Sequence, residues 1–165
     1  MMNAGFTELL LAVLAILLVV AAVIDVRTFT ISNWLNGAVA LMAPLYWWSI
    51  GLPLWPDAAI QGAVAAAVFV VLAATFYLGM MGGGDVKLAA AIALWFSPLT
   101  TLKFLVIMSL AGGVLTLIVL LLHKNRENPP LDDDGKPAKP EVPYGVAIAA
   151  GALWILAQRF LNQFA

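Results

Sequence analysis

Two carboxylates that border apolar segments are the side chains of this chain best suited to chemistry. Asp25 ends the first hydrophobic segment. Asp85 opens another one, directly after the three glycines Gly82, Gly83 and Gly84. Acidic side chains in or beside membrane segments are costly and rare, so each is a candidate functional residue. Two carboxylates at a similar depth can share a proton and activate a water molecule.

Simpler structural roles are open to both carboxylates. Asp25 could pair with Arg27, although residues two positions apart do not face each other on a helix. Asp85 could cap a helix N-terminus, where Asp is common. A cap does not need three glycines, however, and a glycine run allows an extended peptide to approach the backbone closely. Asp25 lies at the negative end of one helix dipole, and Asp85 lies at the positive end of another. Two carboxylates in such different electrostatic settings are typical of pairs that divide acid and base roles.

The composition is that of an integral membrane protein. The 165 residues are 64% hydrophobic and 10% charged, whereas a soluble domain has roughly 45–50% apolar and about 25% charged residues. A net charge of −1 provides no basic surface for nucleic acid. Without cysteine, and with His123 as the single histidine, the chain has no thiolate and too few ligands for a typical zinc site. We therefore expect neither a nucleic-acid partner nor a bound metal.

Long uncharged runs predict an all-α fold, a polytopic membrane protein with six transmembrane helices in a single domain. A helix needs roughly 17–25 residues to cross about 30 Å of hydrocarbon. The fourth run is short, because Pro98 is better placed at the start of the fifth helix than inside the fourth. The predicted spans are residues 6–26, 34–54, 58–79, 86–96, 98–122 and 143–162, with a cytoplasmic loop at 123–142.

The distribution of Lys and Arg predicts the orientation of these spans, since short cytoplasmic loops are enriched in both. Six of the eight basic residues fall after the first helix, before the fourth and after the fifth, which leaves Lys103 and Arg159 for the other side. The N-terminus is therefore predicted to lie outside the cytoplasm, and both aspartates at cytoplasmic helix ends. The six basic residues assigned to the cytoplasmic side are Arg27, Lys87, Lys124, Arg126, Lys136 and Lys139.

Further polar or unusual residues fall on the same predicted face. The last helix begins with Pro143, Tyr144 and Gly145, and the Tyr144 hydroxyl could form a hydrogen bond near the acids. Asn33 could cap the second helix or fix the loop before it. Lys87 could bind lipid headgroups or stabilise the charge of the acid pair.

With these residues in place, the chain resembles the prepilin peptidases, type IV leader peptidase-like intramembrane aspartyl proteases whose signature is Gly-x-Gly-Asp. The run Gly82-Gly83-Gly84-Asp85 matches that signature, and the VKLAAA after it is similar to the family. The resemblance extends from Ile24 to Gly151. Its other elements are Asp25 with Arg27, Asn33 and Leu35 around the first family aspartate, and Pro143-Tyr144-Gly145 as the last-helix motif.

Two departures from the family pattern narrow the resemblance. Larger members carry a cytoplasmic region with a four-cysteine metal site and an N-methyltransferase activity, but this chain has no cysteine and no such insertion. It therefore resembles the short peptidase-only members associated with tight-adherence (Flp-type) pili. Ser32 also replaces the proline often found before the asparagine, which changes the local turn.

The resemblance implies an endopeptidase of the bacterial cytoplasmic (inner) membrane. It implies removal of a short basic leader from prepilin or pseudopilin precursors on the cytoplasmic side, by an Asp25/Asp85 dyad that activates water without metal or organic cofactor. The implied partners are this substrate and membrane lipid; the oligomeric state is left open. The residues implied to shape the site are Gly82, Gly83, Gly84, Lys87, Arg27, Asn33, Pro143, Tyr144 and Gly145.

Two other kinds of protein are compatible with paired membrane acids. In a transporter or channel subunit the acids would line an ion path, but the centres of the spans are largely Leu, Val and Ala. In a membrane assembly scaffold, both acids would be replaceable. The acidic run 132–134 could attract a basic substrate segment or be a solvated loop tip.

Overall fold

The computed structural model describes residues 4–124 and 141–162. This part of the chain is helical and contains no β-strand, which confirms the predicted all-α class. A π-helical turn, Leu54–Ala58, leads directly into the third α-helix. The α-helices of the described part are α1 (Ala4–Thr28), α2 (Asn33–Ser49), α3 (Ala59–Tyr77), α4 (Gly83–Ala93), α5 (Pro98–Lys124) and α6 (Tyr144–Leu161).

Four of these helical segments are long and apolar enough to cross a membrane: α1, the π-turn with α3, α5 and α6. Their outer surfaces carry large exposed apolar side chains, such as Val70 and Leu110. Exposed apolar surface of this extent suits a lipid environment. The chain is therefore a membrane protein, while α2 with 17 residues and α4 with 11 are shorter than the four candidate spans. Most of the predicted loop 123–142, including the acidic run 132–134, lies outside the described residues.

The short helix α4 is the most buried element of the bundle. It packs against α2, α3 and α6, and apolar residues such as Leu88 and Ile92 are fully buried along it. Pro98 opens α5, as predicted, so the chain leaves α4 through a brief connection at residues 94–97. A helix that is covered on several sides needs no long lipid-facing surface, and this explains how so short a helix fits within the bundle.

Helix α2 holds the C-terminal end of α4. The indole N–H of Trp47 donates a hydrogen bond of 2.7 Å to the carbonyl of Leu94. The indole of Trp95 donates one of 2.9 Å to the carbonyl of Val39, and its ring stacks on Tyr46. Buried indole N–H groups need such partners, and these two fix the end of α4 that lies away from Asp85.

Small residues allow α5 and α6 to pack closely. A Cβ atom added at Gly151 of α6 would lie 3.1 Å from the backbone nitrogen of Met108 in α5. Close backbone approach at glycine is a common way for membrane helices to associate. The contact fixes α6 against α5, and α6 in turn packs on α1 and α4, so the N-terminus of α6 reaches the end of the bundle where both aspartates lie.

Candidate active site

The structure places Asp25 and Asp85 at the same end of the bundle, in two different helices. Asp25 lies in the last turn of α1 and is 1% exposed. Asp85 is the third residue of α4 and is 7% exposed. Aspartate is rarely buried to this degree without a specific partner. The contacts of each carboxylate therefore decide what the pair can do.

Asp25 is held by the N-terminus of α6. The backbone N–H of Gly145, the second residue of that helix, donates a hydrogen bond of 2.7 Å to Oδ2 of Asp25. The first N–H groups of a helix have no partner within the helix, and together they attract an anion. A Cβ at Gly145 would lie 2.8 Å from this same oxygen. The contact thus depends on the absence of a side chain at position 145.

Asp85 is held by the start of its own helix. Gly82 is the N-cap residue of α4, and the Asp85 side chain folds back to form a hydrogen bond with the Gly82 backbone, as the third helical residue does in a capping box. A Cβ at Gly82 would lie 2.8 Å from Oδ2 of Asp85. The other carboxyl oxygen, Oδ1, is buried and has no hydrogen-bond partner among the described residues. Oδ1 is thus the carboxyl oxygen that has no protein partner among these residues, and it is closed off from solvent.

The two carboxyls are electrostatically coupled. Asp85 precedes the predicted span 86–96. Burial first, and the charge of Asp25 second, raise its pKa to about 7. The hydrogen bond from the Gly82 backbone acts in the opposite direction but does not cancel these effects. A carboxyl with a pKa near neutrality can hold a proton at working pH and release it in a reaction.

Ile31, in the connection between α1 and α2, contacts the backbone next to both acids. A Cβ at Gly84 would lie 2.7 Å from the carbonyl oxygen of Ile31. A Cβ at Gly145 would lie 2.8 Å from Cδ1 of the same residue, which is 7% exposed. Ile31 therefore lies between the start of α6, which contacts Asp25, and the start of α4, which carries Asp85. It limits how closely these two helix ends approach each other.

The connection that carries Ile31 has a defined local structure. The Thr28 hydroxyl donates a hydrogen bond of 3.0 Å to the carbonyl of Ile24, and the Thr30 hydroxyl donates one of 3.1 Å to the Thr28 hydroxyl. Phe29 adopts a left-handed conformation with φ of 51°, which is uncommon for a bulky residue. This geometry reverses the chain within a few residues and directs Ile31 towards the glycines.

Asn33 and Lys87 pair with each other at the edge of the site. The Lys87 ammonium donates a hydrogen bond of 2.8 Å to Oδ1 of Asn33, and both side chains are exposed. Asn33 is the first residue of α2, and Ser32 is its N-cap residue. The possibility that Asn33 caps this helix is therefore wrong; its amide oxygen instead links α2 to α4.

The remaining residues of the predicted site have other contacts. The Tyr144 hydroxyl lies 3.5 Å from that of Thr116, so this tyrosine faces α5 and not the carboxylates. Pro143 is the N-cap residue of α6, and Arg27 is exposed in the last turn of α1. A Cβ at Gly83 would meet the ring of Phe76 at 3.2 Å, away from both acids.

Asn36 is a site residue that the sequence did not reveal. It is 5% exposed, and its side-chain amide donates a hydrogen bond of 3.0 Å to the carbonyl of Gly84. Ile31 was missed as well, since an isoleucine next to an apolar helix has no distinctive pattern. The one available signal was that Asn36 follows Asn33 by three positions, a spacing that puts two residues on one face of a helix.

A cleft of about 470 Å³ lies between α5 and α6, and its lining includes neither aspartate. Met81 and Tyr144 line it and adjoin Gly82 and Gly145, the glycines that contact the carboxyls. Its other walls come mainly from α5 and are largely apolar, including Met108. In residues 4–124 and 141–162, no three His, Cys, Asp or Glu side chains are grouped as ligands for a metal ion.

Comparison with known proteins gives one match. A family model described as the type IV leader peptidase family matches residues 12–117, well over half of the chain. The matched range contains both aspartates and the glycine run at the start of α4. No curated protein and no solved structure matches the chain.

Proposed function

Because the chain belongs to the type IV leader peptidase family, we propose that this membrane peptidase removes the short basic leader from type IV pilin-like precursors. The family match confirms the resemblance drawn from the Gly82–Asp85 signature. The proposed substrates are Flp-type pilin precursors, as the resemblance drawn from the sequence implies. The proposal makes the enzyme an aspartic endopeptidase.

The observation that carries the proposal is the coupling of two buried carboxyls at one end of the bundle. Asp85 has a pKa of about 7, raised by burial and by Asp25, which suits the acid that holds the shared proton near neutral pH. Its Oδ1 has no protein partner in the described part of the chain but is buried, so contact with a substrate carbonyl requires the site to open. Asp25, fixed through Oδ2 by Gly145, is the base. The pair thereby divides the two roles that amide hydrolysis needs.

Each proton in the proposed reaction has a donor and an acceptor. Asp25 takes a proton from water as the water oxygen attacks the scissile carbonyl carbon, and Asp85 donates its proton to the carbonyl oxygen. When the tetrahedral intermediate collapses, the C–N bond breaks and Asp25 returns its proton to the leaving nitrogen. Asp85 recovers a proton from the intermediate's hydroxyl group as the carbonyl re-forms, so both residues return to their starting states.

The cleft between α5 and α6 supplies room for the substrate, while the glycines of the signature make room for the site itself. The space at Gly82 is taken by Oδ2 of Asp85, and the space at Gly84 is taken by the backbone of Ile31. Met81, which precedes the glycines, lines the cleft of about 470 Å³, and the apolar walls of the cleft suit the uncharged part of a precursor. In this proposal the peptide enters along the cleft and passes Met81 to reach the dyad.

The proposed topology has six membrane-spanning helices, in which α2 and the part of α4 after Asp85 cross in the shelter of the longer ones. Arg27 and Lys87 are exposed at the end of the bundle that holds both carboxyls. Positive charge at a helix end favours the cytoplasmic side. The proposal therefore places the active site at the cytoplasmic face of the bacterial inner membrane, where a basic leader is accessible.

The test is cleavage of a purified Flp-type prepilin by the purified protein in detergent. Asp25→Asn and Asp85→Asn should each reduce cleavage to background while the protein stays folded. Asp57→Asn is the matched control, because this exposed aspartate lies before α3, about 30 Å of helix away from the site. Wild-type cleavage by both dyad variants would refute the proposal. So would ion flux through liposomes containing a protein that cleaves no prepilin.

A further inference from the structure

We propose that Asn36 is a positioning residue that fixes the peptide group between Gly84 and Asp85. This inference rests on the function proposed above. Asn36 does not act on the substrate itself; it sets the orientation of the Asp85 carboxyl through the main chain.

The contact that carries the inference joins two distant parts of the sequence. Nδ2 of Asn36 donates a hydrogen bond of 3.0 Å to the carbonyl oxygen of Gly84, 48 positions away. That oxygen belongs to the same planar peptide group as the backbone nitrogen of Asp85. Holding the oxygen therefore restricts the rotation of the peptide plane from which the Asp85 side chain starts.

Gly84 is also held from the α1–α2 connection. A Cβ there would lie 2.7 Å from the carbonyl oxygen of Ile31 and 3.2 Å from its nitrogen, so the backbones of Gly84 and Ile31 are nearly in contact. The amide of Asn36 and the backbone of Ile31 both belong to the segment that enters α2. The hydrogen bond from Asn36 and the close contact with the Ile31 backbone together fix the first turn of α4.

The side-chain oxygen of Asn36 is unpaired among the described residues, which indicates that the side-chain N–H group is what the site requires at this position. Oδ1 is buried and has no hydrogen-bond partner in the described part of the chain. Burying an unsatisfied acceptor is unfavourable, and the buried positions next to it on α2, Leu35 and Val39, are apolar. An apolar side chain would avoid this cost, but it would leave the Gly84 carbonyl without its donor.

The effect of losing this donor should be confined to the first turn of α4. The other end of that helix is held independently, by the bonds from Trp47 to Leu94 and from Trp95 to Val39. Asp25 is the titratable group that acts on Asp85 from α1, and Asn36 does not contact it in any hydrogen bond. We therefore expect a misplaced Asp85 in a protein that remains folded.

The experiment compares Asn36→Leu and Asn36→Asp with Gln61→Leu. Gln61 is the matched control, since it is a buried amide in α3 with an unpaired oxygen near the opposite end of the bundle. The Asn36→Leu variant should lose about tenfold to hundredfold in kcat, because a misplacement of about 1 Å can cost about 10²-fold. Its KM should stay nearly constant, and Gln61→Leu should match the wild type in both constants.

Asn36→Asp keeps the shape of the side chain and tests the donor directly. Ionised, this carboxylate repels both the Gly84 carbonyl and Asp85; protonated, it can donate the missing hydrogen bond. Its kcat should therefore recover towards the wild-type value as the pH falls, a rescue that lost packing alone would not produce. If Asn36→Leu fails to fold, this isosteric variant decides the question.

A second readout does not depend on cleavage. The titration of Asp85, followed by ¹³C NMR of labelled carboxyl groups and assigned with Asp85→Asn, should move to a different midpoint in both Asn36 variants. It should stay in place in Gln61→Leu. An unmoved titration together with wild-type kcat would overturn the inference. If the wild-type protein cleaves no prepilin, the proposed function fails, but the titration still tests the role of Asn36.

Discussion

The backbone N–H of Gly145 donates a 2.7 Å hydrogen bond to Oδ2 of Asp25, and this contact joins the first and last helices of the bundle at the site. The two residues are 120 positions apart in the chain. Because the N-terminus of α6 meets the last turn of α1 here, the Pro143-Tyr144-Gly145 motif and the first aspartate are parts of a single structure. The motif supplies a backbone donor, and its glycine makes room for the carboxylate.

Gly145→Ala should therefore disable the enzyme. The added methyl would lie 2.8 Å from both Oδ2 of Asp25 and Cδ1 of Ile31, so these buried side chains must move and Oδ2 must withdraw from the Gly145 N–H. We expect cleavage to fall by about 10²-fold or more, with a lower melting temperature. Gly62→Ala is the control, since nothing lies within 4 Å of the added Cβ and alanine is favoured in a helix. Equal activity of the two variants would contradict the role given to Gly145.

Gly83 and Gly84 of the signature should differ in their tolerance of alanine. At Gly84 the methyl would meet the main-chain oxygen of Ile31 at 2.7 Å. A main-chain atom cannot move away without shifting the neighbouring residues of the chain. At Gly83 it would meet the ring of Phe76 at 3.2 Å, and that exposed ring can rotate. We expect Gly84→Ala to abolish prepilin cleavage and Gly83→Ala to retain most of it. The measurement is kcat/KM for each variant at equal folded concentration, and the reverse order would contradict the structure.

The sequence predicted the parts of this site that depend on composition and missed those that depend on packing. Asp25 and Asp85 stand out because charge is rare in apolar segments, and uncharged runs located the helices. Asn36 and Ile31 carry no such signal, since their roles exist only once α2 lies beside the start of α4. The difference between Gly83 and Gly84 is likewise set by which neighbour faces each residue.

Tyr144→Phe should leave cleavage within about threefold of the wild type, because the tyrosine hydroxyl faces Thr116 on α5 and a neutral hydrogen bond contributes only about 1 kcal/mol. The structure thus separates this residue from its neighbour Gly145, although the sequence grouped them. The same prepilin assay measures both. Thr116→Val is the companion variant, which removes the partner hydroxyl and should behave alike. A loss of about 10²-fold in the phenylalanine variant would indicate that the hydroxyl reaches the reacting groups.

Stability should fall as the pH rises towards neutrality, because the buried Asp85 carboxyl binds its proton more tightly in the folded protein. Its pKa is raised from 3.8 to about 7, so between these values the folded state holds a proton that the unfolded state has released. The free energy of unfolding then decreases with pH, by up to about 1.4 kcal/mol per pH unit from this group. The stabilisation is fully present below about pH 4 and is lost as the pH passes 7. Melting temperatures in detergent at pH 5 and pH 8 measure the trend, with Asp57→Asn as the control. Asp85→Asn cannot ionise and should show a smaller drop between these two conditions, whereas an identical drop in this variant would assign the pH dependence to other groups.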